Sequence, residues 1–360
     1  MRIGFFAENC LPFHANSLNE RPLGGTETGV IRLAEQLCSM GHTVEVFTRF
    51  NHQSGHTNQQ TNVPKYLSPE NIHKSDIFDV LVLVKDYRPA RFKLPSKKVF
   101  YWTGDGPEQY INFGVGDQRM IKAINALLTV SEWQADVLCQ SSGFPRDKAY
   151  FLGNGVHLPY FEGNPNKSGK KLFYASSPNR GLTIAYQTFK LVQKEHPDAT
   201  LHVYAGFDVY NDHTPFTGPL IDQFLALKEL LSKDSSIVMH NNLIQKDLAQ
   251  SIMNCSALFY PNQFVETSCI VALEAQAAGC PVIASNSGGL PETVSDRGIL
   301  ISGVPGSAEY ILKFSQATIN LLNDTETLAR LSQRTRTYAF ANFGWDKVAK
   351  RFEDICNRTY

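Results

Sequence analysis

Residues 264–294 read FVETSCIVALEAQAAGCPVIASNSGGLPETV, and the changes of period along this stretch decide the fold. Just upstream, Ala257-Leu258-Phe259-Tyr260 is an apolar run closed by Pro261 and Asn262, the pattern of a buried parallel strand at its carboxyl end. From Thr267 to Ala278 the apolar residues return every three or four positions, so the spacing predicts a helix with Thr267 or Ser268 as its N-cap. Gly279 ends it. A second buried strand, Pro281 to Ala284, and the Gly288-Gly289 turn complete a strand, helix, strand unit of the doubly wound kind, in which ligands sit beyond the carboxyl ends of the strands. The amides of the helix start, near Ser268, Cys269 and Ile270, form an anion site in such a unit. Glu266 falls in the loop and Glu274 within the apolar helix, where a carboxylate is costly unless it is paired or bonded to hydroxyls. The plain alternative is two solvated acids.

Two glutamates with seven residues between them, followed by Ala-Gln-Ala-Ala-Gly-Cys-Pro-Val-Ile-Ala-Ser, resemble the signature of family 4 glycosyltransferases. These are retaining enzymes of the GT-B type, with two Rossmann-like domains whose parallel sheets face an interdomain cleft. The resemblance implies a metal-independent hexosyltransferase for polysaccharide or glycoconjugate synthesis. Glu266 would bond donor-sugar hydroxyls, the backbone of Thr267, Ser268, Cys269 and Ile270 would hold the diphosphate, and Glu274 would take the ribose hydroxyls. The family's Gly-Phe-Gly after the first glutamate is Thr267-Ser268-Cys269 here, a change that bears on sugar selectivity more than on backbone phosphate binding.

At 360 residues, 42 % of them hydrophobic, two cores are expected. Lys and Arg number 34, as do Asp and Glu, so the whole chain carries no nucleic-acid footprint. Seven cysteines without a CxxC pair argue against a disulfide framework or structural zinc and for a reducing compartment. No apolar run reaches membrane-spanning length and Met1 leads directly into a strand, so the expectation is a cytoplasmic protein.

In chain order, the strand from Arg2 to Ala7 is followed by a polar loop that closes on Gly24-Gly25-Thr26-Glu27, where a helix begins that Gly41 ends. The spacing is not that of a dinucleotide fingerprint. Gly24 and Gly25 resemble the family's Gly-Gly loop, in which the backbone approaches the donor phosphates, though two glycines also make an ordinary turn. Residues 50–64 are a polar excursion in which His52 and His56 lack the partners of a metal site. The strand from Val80 to Val84 precedes Lys85, Arg88, Arg91, Lys93, Lys97 and Lys98. That basic cluster reads either as a solvated face or as an attractor for an acidic or lipid-linked acceptor with peripheral membrane contact.

The strand from Val99 to Trp102 delivers Thr103-Gly104-Asp105, resembling the family's His-Asp turn with Gly104 in the histidine's place. The family's chemistry is described as front-face transfer, in which the leaving phosphate takes the acceptor proton. Asp105 then orients the acceptor, or else caps a helix. Asn154-Gly155-Val156 resembles the family's crossing between domains, and a Gly, Pro, Asn and Lys-rich hinge from Glu162 to Lys171 places the domains at 1–165 and 166–344, with helix 345–360 crossing back.

After the strand from Leu172 to Ala175 come Ser176, Ser177 and Arg180; of the two basic residues the family places here on the diphosphate, only Arg180 is present. The loop after Met239, with Asn242 and Leu243, is where the family seats the nucleobase. No Asp-x-Asp triplet occurs for a donor-bound metal, so no cofactor is expected beyond the nucleotide-sugar donor, and the partner is a glycan or lipid-linked acceptor. A GT-B epimerase or phosphorylase, and a sugar-nucleotide-binding protein of weak activity, fit the same residues.

Overall fold

The structure, a computed structural model, describes residues 1–49, 62–167, 169–206 and 218–359; His52, His56 and most of the polar excursion lie outside them. By contacts the chain divides into two compact units: Met1–Leu18, Leu23–Gly155 and Trp345–Tyr360 form the first, Asn19–Pro22 and Val156–Gly344 the second.

The strands of the first unit are β1 (Arg2–Phe6), β2 (Thr43–Phe47), β3 (Lys65–Leu67), β4 (Phe78–Val84), β5 (Ser96–Trp102), β6 (Ala126–Thr129) and β7 (Ala149–Phe151). They form one parallel sheet in the order β3-β2-β1-β4-β5-β6-β7. Helices cover both faces, so strand sequences alternate between two cores rather than between core and water. Val80, Val82 and Val84 of β4 join Val30, Leu33 and Leu37 of helix Gly25–Ser39, while Phe78, Leu81 and Leu83 pack with Ala135 and Leu138 of helix Glu132–Ser142.

Helix Trp345–Arg358 completes the first of these cores. Its buried stripe, Val348, Phe352, Ile355 and Cys356, recurs at helical spacing, and the Phe352 ring lies 6.2 Å from those of Phe5 and Phe100. Gly155 is bare for a reason: a Cβ there would stand 2.5 Å from the Trp345 indole.

The second unit holds β8 (Lys171–Ala175), β9 (Thr200–Tyr204), β10 (Ile237–His240), β11 (Ala257–Tyr260), β12 (Val282–Ser285) and β13 (Ile299–Ile301), also parallel, in the order β10-β9-β8-β11-β12-β13. In both sheets the chain runs outward from a central strand and then restarts on its other side. The switch points fall between β1 and β4 and between β8 and β11. In sheets of this kind the loops at the carboxyl ends of such a pair run in opposite directions, which is where ligands are seated.

The second unit begins earlier than the expected boundary at 165 and 166. Val156 bridges Gly344 and its amide donates to the Phe343 carbonyl (2.7 Å). Phe161 is buried in the second core, and the Arg336 guanidinium donates to the carbonyls of Phe161 (2.6 Å) and Gly163 (2.8 Å). The Gly/Pro/Asn-rich stretch is thus fastened to the second unit, and the change of unit falls at Gly155.

Replacing Phe352 by Ala removes a buried ring from the seam between helix and sheet. The expected loss is about 3–5 kcal/mol, read as a lower urea midpoint in tryptophan fluorescence with the m-value unchanged.

Candidate functional site

The switch point of the second unit gathers most of the residues singled out from the sequence. Ser176, Ser177 and Arg180 follow β8, and the loop that carries Glu266 follows β11. The Glu266 carboxylate is buried, and the Arg180 Nη1 group donates to its Oε1 (2.9 Å) and Oε2 (3.2 Å). The Tyr260 hydroxyl donates to the same Oε1 (2.5 Å) and lies 3.1 Å from Ser176 Oγ. Burial pushes the Tyr260 phenol well up from its ordinary value, and the Glu266 charge pushes it further, so the hydroxyl keeps its proton and remains a donor. The Arg180 guanidinium stacks on Phe264, 4.3 Å from the ring centre, and its side chain stays about one third exposed (32 %). Ser177 is occupied structurally, its carbonyl accepting from Tyr174.

The approach to the helix differs from the expected one. The helix is Ile270–Ala277, and its N-cap is Cys269 in the left-handed region (φ 78°), with no capping side chain, rather than Thr267 or Ser268. The reason lies in the loop's other bonds. Gly289 donates to the Glu266 carbonyl (2.7 Å) and the Thr293 hydroxyl donates to that of Ser268 (2.6 Å), so residues 266–268 are held against the glycine turn and the helix cannot begin there. A Cβ on Gly288 would stand 2.1 Å from the Glu266 carbonyl oxygen. The Cys269 carbonyl takes the amides of Ala272 and Leu273, and those of Ile270 and Val271, in the first turn, have no backbone acceptor one turn back among the described residues. The amides of the helix's first turn are therefore those of Ile270 and Val271, and Ser268 and Cys269 stand ahead of it. The Cys269 thiol is pushed well up by burial and then by Glu266, so it stays neutral.

Glu274 stands one turn into this helix and is buried. Gln245 Nε2 donates to its Oε1 (2.9 Å). Burial raises its carboxyl from 4.5 to about 7, with the Gln245 bond pulling the other way. In the loop between β10 and helix Gln245–Ile252, the Asn242 Nδ2 atom is buried without a hydrogen-bond partner among the described residues, as are Gln245 Oε1 and Asn179 Oδ1. Leu243 is half-buried, with its side chain packed against the core.

The other predicted residues stand in the first unit. Gly24 caps helix Gly25–Ser39 through its backbone, and a Cβ there would meet Glu27 Oε2 at 2.5 Å. Glu27 is buried and accepts from the Leu11 amide (2.9 Å). Asp105 is the N-cap of no helix among the described residues: its amide donates to Thr103 Oγ1, and its carbonyl accepts from Gln134 (2.8 Å) and Asn112 (3.1 Å). Gly104 is not required by packing, since a Cβ there would meet only Val130, at 3.9 Å. The Cys10 thiol is pushed well up by burial and then by Glu27, lowered by Lys85 and raised by Asp105, which places these groups in one neighbourhood beyond β1, β4 and β5. Of the basic cluster, Lys97 pairs with Asp79 and Lys98 donates to the Thr359 carbonyl, whereas Arg91 and Lys93 are exposed.

Tyr260, Phe264 and Gln245 were not legible as site residues. Tyr260 sits in a run that reads as core, and a glutamine opening a helix carries no pattern of its own.

Two parallel-sheet α/β units, with Arg180, Glu266 and the start of helix Ile270–Ala277 at the switch point of the second, are the architecture of GT-B proteins. Residues 161–338 match the family model described as Glycosyl transferases group 1. A D-inositol 3-phosphate glycosyltransferase of Streptomyces bingchenggensis is 28 % identical over 267 residues, 70 % of this chain and 56 % of the relative. Spore coat protein SA of Bacillus subtilis is 26 % identical over 259 residues, 65 % of each chain. The HepE protein of Anabaena, crystallised with UDP and glucose, superposes with a TM-score of 0.73 at 15 % identity, over 99 % of this chain and 100 % of that one. Residues 161–338 thus carry the domain of the glycosyl transferases group 1 family, and the chain as a whole has the GT-B fold of the family 4 glycosyltransferases. It spans a little over half to about two thirds of the curated relatives it matches.

Because the Glu274 carboxyl is raised from 4.5 to about 7 on folding, its contribution to stability is full below pH 4.5 and is lost as pH rises through about 7. The size is about 3 kcal/mol. Glu274→Gln is expected to be relatively more stable at pH 8 than at pH 5 by this order, measured as the difference from wild type in urea unfolding.

Proposed function

We propose that the protein is a retaining hexosyltransferase that moves a sugar from a nucleotide-diphosphate donor to a hydroxyl of a glycan or lipid-linked acceptor, without a bound metal. The observation that carries this reading is the buried Glu266 carboxylate held by Arg180 and Tyr260 beside the open first turn of helix Ile270–Ala277. A sugar ring offers hydroxyls to a carboxylate, and a diphosphate needs a cation and amides within reach. Glu266 supplies the first, and Arg180 with the Ile270 and Val271 amides supplies the second. Glu274, one turn on, takes the ribose hydroxyls, whose hydrogen bonds answer the cost of burying that acid. The UDP and glucose bound by the HepE protein support this class of donor.

In the chemical step the bond from the anomeric carbon to the diphosphate oxygen breaks as the acceptor oxygen approaches the same face of the ring. The acceptor proton passes to the departing phosphate oxygen, so the product keeps the donor's anomeric configuration. The protein's contribution is charge stabilisation: Arg180 and the helix-start amides meet the negative charge that grows on the diphosphate. Such a step makes little demand on a protein base, which accords with Gly104 in the family histidine's place. Neutralisation by Arg180 and amides is also the basis for proposing metal independence.

The first unit supplies the acceptor side of this reading. Arg88 lies over the Tyr110 ring, and the Tyr87 hydroxyl donates to the Phe113 carbonyl, so the exposed rings of Phe92, Tyr110 and Phe113 flank Arg88, Arg91 and Lys93. Aromatic rings with cations between them suit an anionic lipid surface, on which a lipid-linked acceptor would be presented. Among the described residues no helix is long and apolar enough to cross a membrane, so contact of this kind would be peripheral. The seven cysteines, all free and buried, accord with a cytoplasmic location.

Glu266→Gln keeps the shape of the site and removes its charge. Turnover of the best donor in a panel of UDP-, GDP- and ADP-sugars is expected to fall about 10²–10³-fold, with nucleoside diphosphate affinity little changed. Near-normal turnover would remove Glu266 from the chemistry, and a product of inverted configuration by NMR would remove retention. Phe92→Asp is expected to release the protein from anionic vesicles in sedimentation while leaving turnover of a soluble acceptor intact.

A further inference from the structure

Gln245 is the first residue of helix Gln245–Ile252, directly after the loop that holds Asn242. Its carboxamide has two unlike faces. The Nε2 face is committed to Glu274 Oε1 at 2.9 Å. The Oε1 face is buried and, among the described residues, meets no donor. Asn242 Nδ2 is in the complementary condition, a buried donor without an acceptor. A protein interior seldom leaves such atoms unpaired unless a ligand or water completes them. Here an acceptor and a donor, three positions apart in the sequence, are left open beside a carboxylate whose one oxygen is already engaged.

We infer that Gln245 is the positioning residue of the nucleoside pocket: its Nε2 fixes Glu274 so that the second carboxylate oxygen faces the ribose diol, while its Oε1 and the Asn242 amide receive the ligand's own donor and acceptor. The inference rests on the nucleotide-sugar reading above and adds to it the residue that orients the ribose contact.

The arrangement has an electrostatic consequence. A carboxylate accepts from both Gln245 and a ribose hydroxyl, whereas a protonated Glu274 would spend one oxygen as a donor and allow the Gln245 amide to turn over. The Glu274 carboxyl is raised to about 7 by burial and lowered by Gln245, so ionisation and nucleotide binding favour each other. The other groups near its helix are fixed in one state. The Cys269 thiol is neutral, Arg336 donates to the Ala277 carbonyl, and Arg297 is bonded to Gln276.

The test uses the full chain and calorimetric binding of UDP, GDP and ADP with their 2′-deoxy counterparts, between pH 5.5 and 8.5. Wild-type affinity for the best ribonucleotide is expected to rise with pH to a plateau above about 7. Gln245→Leu should weaken that ribonucleotide about ten- to a hundredfold, shift the pH midpoint upward and shrink the preference for ribo over deoxy. Asn242→Leu should weaken both sugars equally and leave the midpoint in place. Thermal unfolding of the unliganded variants across the same range gives a second reading of the Glu274 midpoint. Wild-type affinity, pH midpoint and ribose preference in Gln245→Leu would overturn the inference, and so would an equal loss for ribo and deoxy ligands with an unmoved midpoint. If the wild type binds none of the three ribonucleotides, the functional reading falls together with it.

Discussion

A buried carboxylate has to be answered, and the way Glu266 is answered organises the second unit. Arg180 comes from the loop after β8, Tyr260 from the end of β11, and Glu266 from the loop beyond, so one charge ties the two strands that flank the switch point. Arg180 is kept rigid by the Phe264 ring below it and by its carbonyl, which accepts from the Gln263 amide (3.0 Å). A charge-assisted network of this kind is worth its desolvation only when every member is satisfied. Each member here has its partner, and the guanidinium still shows an exposed edge.

The backbone repeats the same logic. The Glu266 and Ser268 carbonyls are held by Gly289 and Thr293, which forces the turn into the helix to happen late and in a left-handed step at Cys269. That step gives the first amides of the helix their aim. Gly181 serves the neighbouring approach, since a Cβ there would press on the Pro261 carbonyl at 2.6 Å. Side-chain charge, loop course and helix start are thus one construction, in which a shift of the glycine turn would be felt at the carboxylate.

Much of this was legible from residues alone because parallel strands buried on both faces are written as short apolar runs, and each helix between them carries its own period. The strand from Val80 to Val84 and the stripe of Val348, Phe352 and Ile355 needed nothing more. Glu266 and Glu274 were legible together through the length of the motif and Arg180 through the turn after the strand Leu172–Ala175, and the structure gathers all three in one unit. What could not be read depends on contacts distant in sequence. The N-cap moved to Cys269 because Thr293 and Gly289 hold the Ser268 and Glu266 carbonyls, each from more than twenty positions along the chain. The domain boundary moved because Arg336 closes on carbonyls that composition marks as a linker. Gln245 was invisible because a single amide at a helix start has no pattern to betray it.

The seating of helix Trp345–Arg358 on the first sheet also bears on how the polypeptide matures. The first unit is discontinuous: its sheet is finished by Phe151, yet Phe5 and Phe100 wait for Phe352. During synthesis Val156–Gly344 leaves the ribosome as one uninterrupted piece and can close its own core, while the earlier-made sheet must stay unsealed along the groove that Phe352 fills. The part translated first is therefore the part completed last, its aromatic seam closed only when Phe352 arrives.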